Sequence, residues 1–472
     1  MERKEAEVVC VTGASGFIGS ELVRQLLLRG YVVHATVQDL SYSLLLLLPK
    51  NEQETKHLEA LEGAKTRLRL FQMDLLDYTS IFASINGVSG VFHVASPCVL
   101  QVHDPQKQLL EPAIEGTKNV LKAAKELGVR RVVLTSSFST IIPNYNWPAD
   151  VVLNGDSWSD VDYCRRKGVD IRGKALVSPI ERYAVVPDDN VSQKDKFCRG
   201  EDLILELWYS VSKNLAEKAA WEFAKEKDLN MVVVIPGAVF DPILPPTINS
   251  SMSVLLRLLQ GCTDTLQDFY GGAVHVKDVA LAHILVYEST SATGRHLCAE
   301  SISHFGDFAA KVAEIYPEYK LPRLPKDTQP GMLRDKNPSK KLMDLGLQFI
   351  PIEQIIKDSV ESLKSKGSLT KIESLMDSRR RRLSFLLLFF ITAAILFPNL
   401  SSASSRESVK NSEKSKVTLA IYYESLCPYC SNFIVNDLVE LFESGLISDV
   451  DLKLIPYGNA RIGPNDTLTC QR

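Results

Sequence analysis

The glycine-rich loop near the start of the chain constrains the fold more than any other stretch. An apolar run at Val8–Val11 is typical of a buried parallel strand, and Glu21–Arg29 has the spacing of an amphipathic helix. Glycines let a backbone approach a pyrophosphate closely, and a helix N-terminus offers it free N–H groups and partial positive charge. The arrangement predicts dinucleotide binding in preference to a plain tight turn. The predicted cofactor contacts in the loop are Gly13, Ser15, Gly16, Phe17, Ile18 and Gly19.

The composition narrows the class of protein. At 472 residues the chain is long enough for two or three domains, and 45% hydrophobic with 24% charged residues is typical of a globular protein. A net charge of -3 argues against nucleic acid as the main partner, so a small-molecule substrate is expected. No signal peptide precedes the first domain, which is therefore expected in the cytoplasm. Six cysteines without a pairing rhythm suit a reducing compartment; they are Cys10, Cys98, Cys164, Cys198, Cys262 and Cys298.

Strands and helices alternate after the loop. The predicted strands are Val32–Val37, Leu68–Gln72, Gly90–Ala95 and Arg131–Leu134, and the helix Pro112–Leu127 separates the last two. Parallel strands joined by helices form a doubly wound sheet with helices on both faces. The predicted fold class is therefore α/β, with a doubly wound parallel sheet of the Rossmann type.

The end of the second predicted strand bears on the choice of cofactor. Proteins that bind NAD usually place an acidic residue there, which bonds the ribose 2′-hydroxyl. Val37 and Gln38 occupy this place. Because no carboxylate repels a 2′-phosphate, NADP(H) is favoured over NAD(H), with Gln38 as a contact. The missing acid also disfavours a sugar-nucleotide epimerase.

Two other strand ends supply further candidate contacts with the cofactor. Asp74 and Leu75 follow the third strand, where the Asp74 carboxylate can accept a hydrogen bond from the adenine amino group. A helix cap is an equally good interpretation of Asp74. Ala95 and Ser96 end the fourth strand, and their small side chains let the backbone pass close to the nicotinamide half.

A serine, a tyrosine and a lysine form the candidate catalytic group. Ser137 follows the fifth strand, while Tyr209 and Lys213 lie one turn apart on the same face of a later helix. A tyrosine hydroxyl can protonate the oxygen formed when hydride reaches a carbonyl. A nearby ammonium lowers the pKa of the phenol and can hold the nicotinamide ribose, and a serine hydroxyl can orient the carbonyl. The pattern predicts a hydride-transfer enzyme, with Tyr209 and Lys213 also touching the cofactor.

Longer stretches of the chain resemble a known family. The matching segments are VTGASGFIGS, FQMDLLD, VFHVASP, VVLTSS, SWSDVDYC, WYSVSKNLAEKAAW, VVVIPGAVFDPILPP and VHVKDVALAHILVYE. To about Gly367 the chain is similar to the extended short-chain dehydrogenases/reductases of the NAD-dependent epimerase/dehydratase family. Within them it most resembles the plant cinnamoyl-CoA reductase and dihydroflavonol reductase group.

This resemblance implies roles for individual residues. It implies a catalytic triad of Ser137, Tyr209 and Lys213, and a structural role for His275. The contacts that it implies on the nicotinamide side are Pro236, Gly237 and Val239.

Departures from the family pattern leave the substrate open. Cinnamoyl-CoA reductases carry N-W-Y-C-Y-G-K where this chain has L-W-Y-S-V-S-K, and the basic residues for the 2′-phosphate are not matched. The substrate pocket of these enzymes comes from a variable C-terminal segment, here about 240–356. The expected function is NADP-dependent reduction of an aldehyde, a ketone or a hydroxycinnamoyl-CoA-type thioester of phenylpropanoid chemistry. The alternatives are a nucleotide-binding protein without turnover and a membrane-anchored thiol reductase.

Two inserts interrupt the family pattern, at about 43–51 and 168–207. The first contains five consecutive leucines, and the second separates Ser137 from Tyr209 by roughly twice the family spacing. Long loops without structure of their own are uncommon in compact domains. Because the second insert leads directly into the helix of Tyr209, we expect the domain to fold poorly while both inserts are present.

Deleting both inserts is expected to raise the yield of soluble protein that binds NADPH. The reason is the restored connection to the catalytic helix, since the entropy of loop closure changes only slowly with loop length. The soluble fraction and the NADPH affinity of the deletion variant and the full chain measure the effect. No gain in either quantity would refute the expectation.

The chain changes character after Gly367. Four arginines at 379–382 precede the apolar run Leu383–Phe397, and small residues follow at 401–405. A basic stretch, a short apolar run and small residues, in this order, are typical of a secretory signal peptide, although here they lie in mid-chain. The apolar run is marginally short for a membrane helix. If the run inserts, the arginines stay in the cytosol and the tail enters the lumen of an endomembrane compartment. Membrane association through 383–397 is thus one expectation.

A Cys-x-x-Cys motif follows the apolar run. Val417–Tyr423 has the pattern of a strand, and Cys427 and Cys430 lie at its junction with a predicted helix. A helix N-terminus there stabilises the thiolate of the first cysteine, which predicts a thioredoxin-like redox site. Half a zinc site and a structural disulfide are the alternatives. Because no second cysteine pair is present, no metal is expected.

The tail also resembles a family. YYESLCPYCSNFI and NDTLTCQ are similar to the start of gamma-interferon-inducible lysosomal thiol reductase. One strand–helix–strand unit cannot bury a full core, so a truncated thioredoxin-like fragment is expected. A sequon at Asn465 is typical of a glycoprotein, although the same pattern occurs at Asn249. The predicted division is a reductase domain at 1–367, a basic and apolar linker at 368–404, and the fragment at 405–472. The oligomeric state is left open.

Overall fold

The computed structural model of the chain describes residues 6–38, 53–98, 104–142, 154–170, 202–261, 270–319, 321 and 337–369, and in the tail 417–423, 450–456, 460–462 and 468–470. The chain divides into two compact units, residues 1–381 and 382–472.

Seven parallel strands form the central sheet of the first unit. They are β1 (Val8–Thr12), β2 (Val32–Val37), β3 (Leu68–Gln72), β4 (Gly90–His93), β5 (Arg131–Thr135), β6 (Met231–Pro236) and β9 (Gly294–Cys298). Their order is β3-β2-β1-β4-β5-β6-β9, and every neighbouring pair is parallel. The order reverses between β1 and β4, which confirms the predicted doubly wound sheet.

The helices of the first unit connect these strands and the smaller sheet that follows. Their bounds are α1 (Phe17–Leu28), α2 (Gln53–Glu59), α3 (Ala64–Arg67), α4 (Tyr78–Ile85), α5 (Glu111–Glu126), α6 (Val161–Asp170), α7 (Asp202–Lys227), α8 (Ser250–Leu259), α9 (Val276–Glu288), α10 (Phe305–Ile315), α11 (Lys340–Asp344) and α12 (Ile352–Ser365). One π-helical turn, Gln106–Leu110, leads into α5, and a 3-10 turn, Phe138–Thr140, follows β5.

Helices cover both faces of the sheet because its strands are apolar on both sides. On one face, Val9 of β1 packs in a buried cluster with Leu22 of α1 and Val279 of α9. On the other face, Val91 of β4 packs with Leu121 of α5. Full burial of one such side chain contributes about 1.5–3 kcal/mol to stability. These two clusters hold the strand ends, and thus the loops that follow them, in fixed positions.

A second, three-stranded sheet belongs to the C-terminal half of this unit. It consists of β7 (Ala238–Phe240), β8 (Tyr270–His275) and β10 (Ser301–His304), with β8 in the middle. β8 is antiparallel to β10 and parallel to β7. Phe240 and Phe308 are members of the apolar cluster there, which also contains residues of α8 and α12. The segment expected to supply the substrate pocket therefore has a core of its own.

Several predicted boundaries differ from the structure. α1 begins at Phe17 instead of Glu21, β4 ends at His93 instead of Ala95, and α7 begins at Asp202 instead of Trp208. The last difference arises because residues 202–207, DLILEL, are mainly strong helix formers. The end of the second insert is therefore part of the helix that carries Tyr209.

The described part of the tail consists of short strands. β11 (Val417–Tyr423) pairs in parallel with β12 (Val450–Pro456), and β13 (Ala460–Ile462) pairs in antiparallel fashion with β14 (Leu468–Cys470). β11 is the strand predicted before the Cys-x-x-Cys motif.

Several predictions fall outside the described residues. These concern the first insert, residues 171–201 of the second, the apolar run 383–397, and the cysteines Cys427 and Cys430. Within the ranges that are described, none of the helices combines the length and the apolar character needed to cross a bilayer.

Candidate active site

The glycine-rich loop between β1 and α1 is held close to the end of β4. Gly13 has a φ of +66°, and a Cβ on it would lie 2.9 Å from the Cα of Ala95. A Cβ on Gly19 would overlap the carbonyl oxygen of Gly13. The Gly13 N–H donates to Thr36 Oγ1 of β2 at 3.1 Å. Glycine fits these two positions without strain, and the loop leaves its backbone open to a ligand.

The N-terminus of α1 is suited to an anion. Gly16 is its N-cap and has no side chain to bond the first N–H groups, and the first turn contains no acidic residue. Ser15, Phe17 and Ile18 are half-buried around it. The N–H groups at a helix start and the helix dipole together favour a phosphate there.

Thr12 and His93 fix the loops that follow β1 and β4. Thr12 Oγ1 accepts the N–H groups of Val94 and Ala95, each at 3.0 Å, and lies 2.9 Å from His93 Nδ1. Thr12 therefore donates its hydroxyl proton to Nδ1, and Nε2 carries the ring hydrogen toward Thr117 Oγ1 at 3.2 Å. Burial lowers the pKa of His93 to about 3, so the ring is neutral at physiological pH. Sequence reasoning missed this role of His93.

The residues predicted for the adenine side lie at the ends of β2 and β3. Gln38 is exposed after β2. Asp74 Oδ1 accepts the N–H of Leu76 at 2.8 Å in a tight turn. Asp77, not Asp74, caps α4 by accepting the N–H of Thr79 at 3.0 Å. The cap interpretation of Asp74 was therefore wrong, while its contact with adenine stays a prediction.

Three further predicted contacts follow β3 and β4. Leu75 lies against α5, where Asn119 Nδ2 donates to its carbonyl oxygen at 3.1 Å. Ala95 and Ser96 are half-buried directly after β4. All three are at the carboxyl edge of the sheet, where ligands of such folds bind.

The segment after β6 approaches the second sheet closely. Pro236 ends β6, and the Gly237 N–H donates to the carbonyl oxygen of Cys298 at 3.0 Å. A Cβ on Gly237 would overlap the carbonyl oxygen of Gly272. Val239 is buried in β7. The glycine at 237 is thus required by packing, independently of any contact with a cofactor.

Ser137, Tyr209 and Lys213 meet at the carboxyl end of β5. The Tyr209 hydroxyl hydrogen-bonds the Ser137 side chain. Ser137 Oγ also accepts from the Ser139 N–H at 3.2 Å and from the Ser139 hydroxyl at 2.9 Å. Lys213 is 6% exposed, and its Nζ donates to the carbonyl oxygen of Thr135 at 2.9 Å. α7 thereby brings a phenol and an ammonium to the turn that carries Ser137.

Burial governs the protonation of this group. It raises the pKa of Tyr209 well above its usual range, Cys98 raises it further, and the bond from Ser137 lowers it. Burial also lowers the pKa of Lys213, against the opposing effects of Cys98 and Glu217. Lys213 is not among the groups that shift the pKa of Tyr209, so its expected effect on the phenol stays a prediction. Tyr209 holds its proton at neutral pH, as a general acid must.

Sequence reasoning missed Cys98. Its thiol hydrogen-bonds the Tyr209 hydroxyl and acts electrostatically on Tyr209 and Lys213, although the residue itself is exposed. The signal that could have found it is its position just beyond Ser96. The carboxyl ends of parallel strands meet at one edge of the sheet. A side chain that follows β4, such as Cys98, is therefore expected near the catalytic group that begins with Ser137 after β5.

His275, Asp241 and Asp358 form a second cluster. His275 Nδ1 accepts the N–H of Lys277 at 3.0 Å and thereby caps α9. Its Nε2 lies 3.6 Å from Asp241 Oδ2 and 3.8 Å from Asp358 Oδ2. Because Nδ1 is an acceptor, Nε2 carries the ring hydrogen and faces the carboxylates with it instead of offering a lone pair to a metal. The cap agrees with the structural role that the resemblance implied.

Two plant reductases show which family the chain comes from. The chain is 40% identical to cinnamoyl-CoA reductase 1 of Petunia hybrida over 370 residues, covering 78% of this chain and 96% of the relative. It is 41% identical to cinnamoyl-CoA reductase 2 of Medicago truncatula over 364 residues, covering 77% and 93%. The chain belongs to the cinnamoyl-CoA reductase family. This membership confirms the resemblance read from the sequence and the predicted class of activity, that of a reductase.

Two family models match separate parts of this reductase-family chain, and solved reductase structures cover 76% of it. Residues 10–167 match the 3-beta hydroxysteroid dehydrogenase/isomerase family. Residues 418–472 match the gamma interferon inducible lysosomal thiol reductase (GILT) family, which confirms the resemblance of the tail. Vestitone reductase from alfalfa (Medicago sativa L.) is 28% identical with a TM-score of 0.56, covering 76% of this chain and 99% of its own. Gre2 from Candida albicans in complex with NADPH is 25% identical with a TM-score of 0.57 and the same coverage.

Replacing Gly19 by alanine is expected to disturb the loop, because the new Cβ would overlap the Gly13 carbonyl oxygen. We expect a loss of about 1–3 kcal/mol in stability, as for overpacking elsewhere, together with a loss of NADPH affinity. Thermal unfolding and fluorescence titration with NADPH measure the two effects.

Gly30→Ala is the matched control. Its φ of +87° makes alanine unfavourable by about 1–2 kcal/mol, yet a Cβ there meets nothing within 4 Å. Stability should fall and NADPH affinity should stay unchanged. Equal NADPH affinities of the Gly19 and Gly30 variants would contradict the role of the loop.

Proposed function

We propose that the first unit is an NADP-dependent reductase of an aldehyde, a ketone or a hydroxycinnamoyl-CoA-type thioester. The observation that carries the proposal is the Tyr209 hydroxyl bonded to Ser137, next to buried Lys213, at the sheet edge that also carries the glycine-rich loop. Relatives at 40 and 41% identity are cinnamoyl-CoA reductases, and Candida albicans Gre2 is known in complex with NADPH. Phenylpropanoid thioesters are therefore the first substrates to test.

The residues around the loop fit NADP(H). Gly13 and Gly19 leave the loop backbone open where a pyrophosphate would lie, and Gly16 leaves the first N–H groups of α1 without a side-chain cap. Gln38 puts no negative charge at the end of β2, near the place of a 2′-phosphate. When bound, the cofactor supplies the hydride. The remaining proposed contacts are Asp74 and Leu75 on the adenine side, and Ala95, Ser96, Pro236, Gly237 and Val239 on the nicotinamide side.

Tyr209 donates a proton to the substrate oxygen, and Ser137 orients that oxygen. The two hydroxyls are close enough to hydrogen-bond each other, so an oxygen that replaces this bond and lies beside both can accept from both. Proton donation by a positioned side chain accounts for about 10²–10⁴-fold in rate. Lys213 keeps its ammonium buried against the Thr135 carbonyl, and this positive charge favours the phenolate that Tyr209 becomes after donation.

A second candidate for the first unit is nucleotide binding without turnover, which the insert before Tyr209 motivated. Against it stands the contact of Tyr209 with Ser137 from a helix that begins inside that insert. For the tail, the match of residues 418–472 to the GILT family favours thiol reduction through Cys427 and Cys430. Reduction of insulin that is lost in Cys427→Ser would support that activity.

Replacing Tyr209 by phenylalanine is expected to lower kcat by about 10²–10⁴-fold, because the proton donor is lost, and to leave NADPH binding nearly unchanged. NADPH oxidation across a panel of aldehydes and acyl-CoA thioesters measures kcat. Tyr78→Phe is the control, since the Tyr78 hydroxyl bonds exposed Glu126 on the surface. Full turnover in Tyr209→Phe would contradict the proposed acid. A wild-type protein that binds NADPH but reduces none of the panel would favour the second candidate.

Removing the Cys98 thiol is expected to lower the pKa of Tyr209, because Cys98 raises it. Tyr209 donates only while protonated, so the alkaline fall of kcat in the direction of reduction should begin at lower pH in Cys98→Ala. Cys98→Ser should shift at least as far, because a serine hydroxyl that donates to the phenol oxygen lowers its pKa, as Ser137 does. The pH–rate profiles of the three proteins measure this. An alkaline limb that does not move in Cys98→Ala would show that the thiol does not influence the phenol.

A further inference from the structure

A buried ion pair joins the helix of Tyr209 to β9, the edge strand of the central sheet. Glu217 lies on α7, one turn beyond Lys213, and is 1% exposed, while Arg295 lies on β9 and is 5% exposed. Arg295 Nε donates to Glu217 Oε1 at 2.7 Å, and Nη2 donates to Oε2 at 3.3 Å. A two-point contact between buried charges is strongly oriented, because a shift would leave either charge unpaired inside the protein.

Glu217 also bonds the residue that precedes Ser137. The Ser136 hydroxyl donates to Glu217 Oε2. Trp221 Nε1, one turn further along α7, donates to Oε1 at 3.2 Å. The carboxylate is therefore fixed to its own helix and to the end of β5 at once. Because Ser136 and Ser137 are neighbours in the chain, Glu217 fixes the backbone at Ser137 relative to α7.

Arg295 holds the same turn from a second point. Its Nη2 donates to Thr140 Oγ1 at 2.9 Å, and the Thr140 hydroxyl donates to the carbonyl oxygen of Ser137 at 2.8 Å. Its Nη1 donates to the carbonyl oxygens of Gly155 at 2.8 Å and Ser157 at 2.6 Å. The guanidinium thus ties the turn of Ser137 to the segment that leads into α6.

We propose that Glu217 and Arg295 are positioning residues that set the distance between the Ser137 and Tyr209 hydroxyls. The inference rests on the proposed function of those two hydroxyls. The pair acts on the geometry of the catalytic group through Ser136 and through residues 137–140 of the turn. Glu217 also raises the pKa of Lys213, but neither member of the pair takes part in the proton transfer. A misplacement of about 1 Å in such a group can cost about 10²-fold in rate.

Glu217→Gln is the first test, because it keeps the shape of the side chain and removes its charge. We expect kcat to fall by about 10- to 100-fold, while KM and NADPH affinity change little. Glu21→Gln on α1 is the matched control. Glu21 is also buried and accepts from Arg24 at 2.7 Å and from Gln25 at 2.8 Å. This control should lose thermal stability and keep its kcat.

The double variant Glu217→Gln/Arg295→Met separates positioning from stability. It leaves no unpaired buried charge, so Tm should recover toward that of the wild type. The value of kcat should stay low, because Thr140, Gly155 and Ser157 have lost their donor. Recovery of kcat together with Tm would overturn the proposal. So would a loss of kcat in Glu21→Gln that equals the loss in Glu217→Gln at the same Tm.

Hydrogen exchange makes the test independent of turnover. Backbone amides of residues 136–140 should exchange faster in Glu217→Gln than in the wild type and should keep their protection in Glu21→Gln. Unchanged protection in Glu217→Gln would overturn the positioning role even in a protein without measurable activity. A wild type that reduces none of the panel, with exchange altered as expected, counts against the proposed function and supports the positioning role.

Discussion

The parallel pairing of β1, β4 and β5 is the constraint on which the site depends. Thr12 lies beside His93 in the pairing of β1 with β4, and His93 lies beside Leu134 in the pairing of β4 with β5. The three strands therefore end at one edge of the sheet. The glycine-rich loop, the turn at Ala95 and the turn at Ser137 begin at that edge and are brought together by it. A shift of register in either pair would separate the nucleotide loop from the serine.

Buried polar groups hold this edge in place, and burial also sets their chemistry. The Thr12 hydroxyl, the His93 ring and the Lys213 ammonium each bond a neighbour inside the protein, which offsets the cost of removing them from water. The same burial lowers the pKa of His93 and Lys213 and raises that of Tyr209. The His93 imidazole is therefore neutral and held between Thr12 and Thr117, and the Tyr209 phenol keeps the proton that a general acid donates. Burial of these side chains therefore determines both how they pack and which of them carry a proton.

The parts of the fold that sequence reasoning predicted well are those with a local pattern. Val32–Val37 has the predicted bounds, because Val33, Ala35 and Val37 alternate with His34 and Thr36 at the two-residue period of a strand. The contacts that it missed join distant residues. Glu217 and Arg295 are 78 positions apart, and no local period relates them. Asp74 and Asp77 both precede α4, and only the backbone conformation decides that Asp77 is the cap.

A crystal structure with bound NADPH tests most directly the claim that this edge brings a hydride donor and a proton donor together. The account predicts a pyrophosphate at the N-terminus of α1. It also predicts that nicotinamide C4 and the Tyr209 hydroxyl lie where one substrate carbonyl can approach each to about 3–3.5 Å. A complex in which the nicotinamide ring lies beyond the reach of any carbonyl that touches Tyr209 would contradict it.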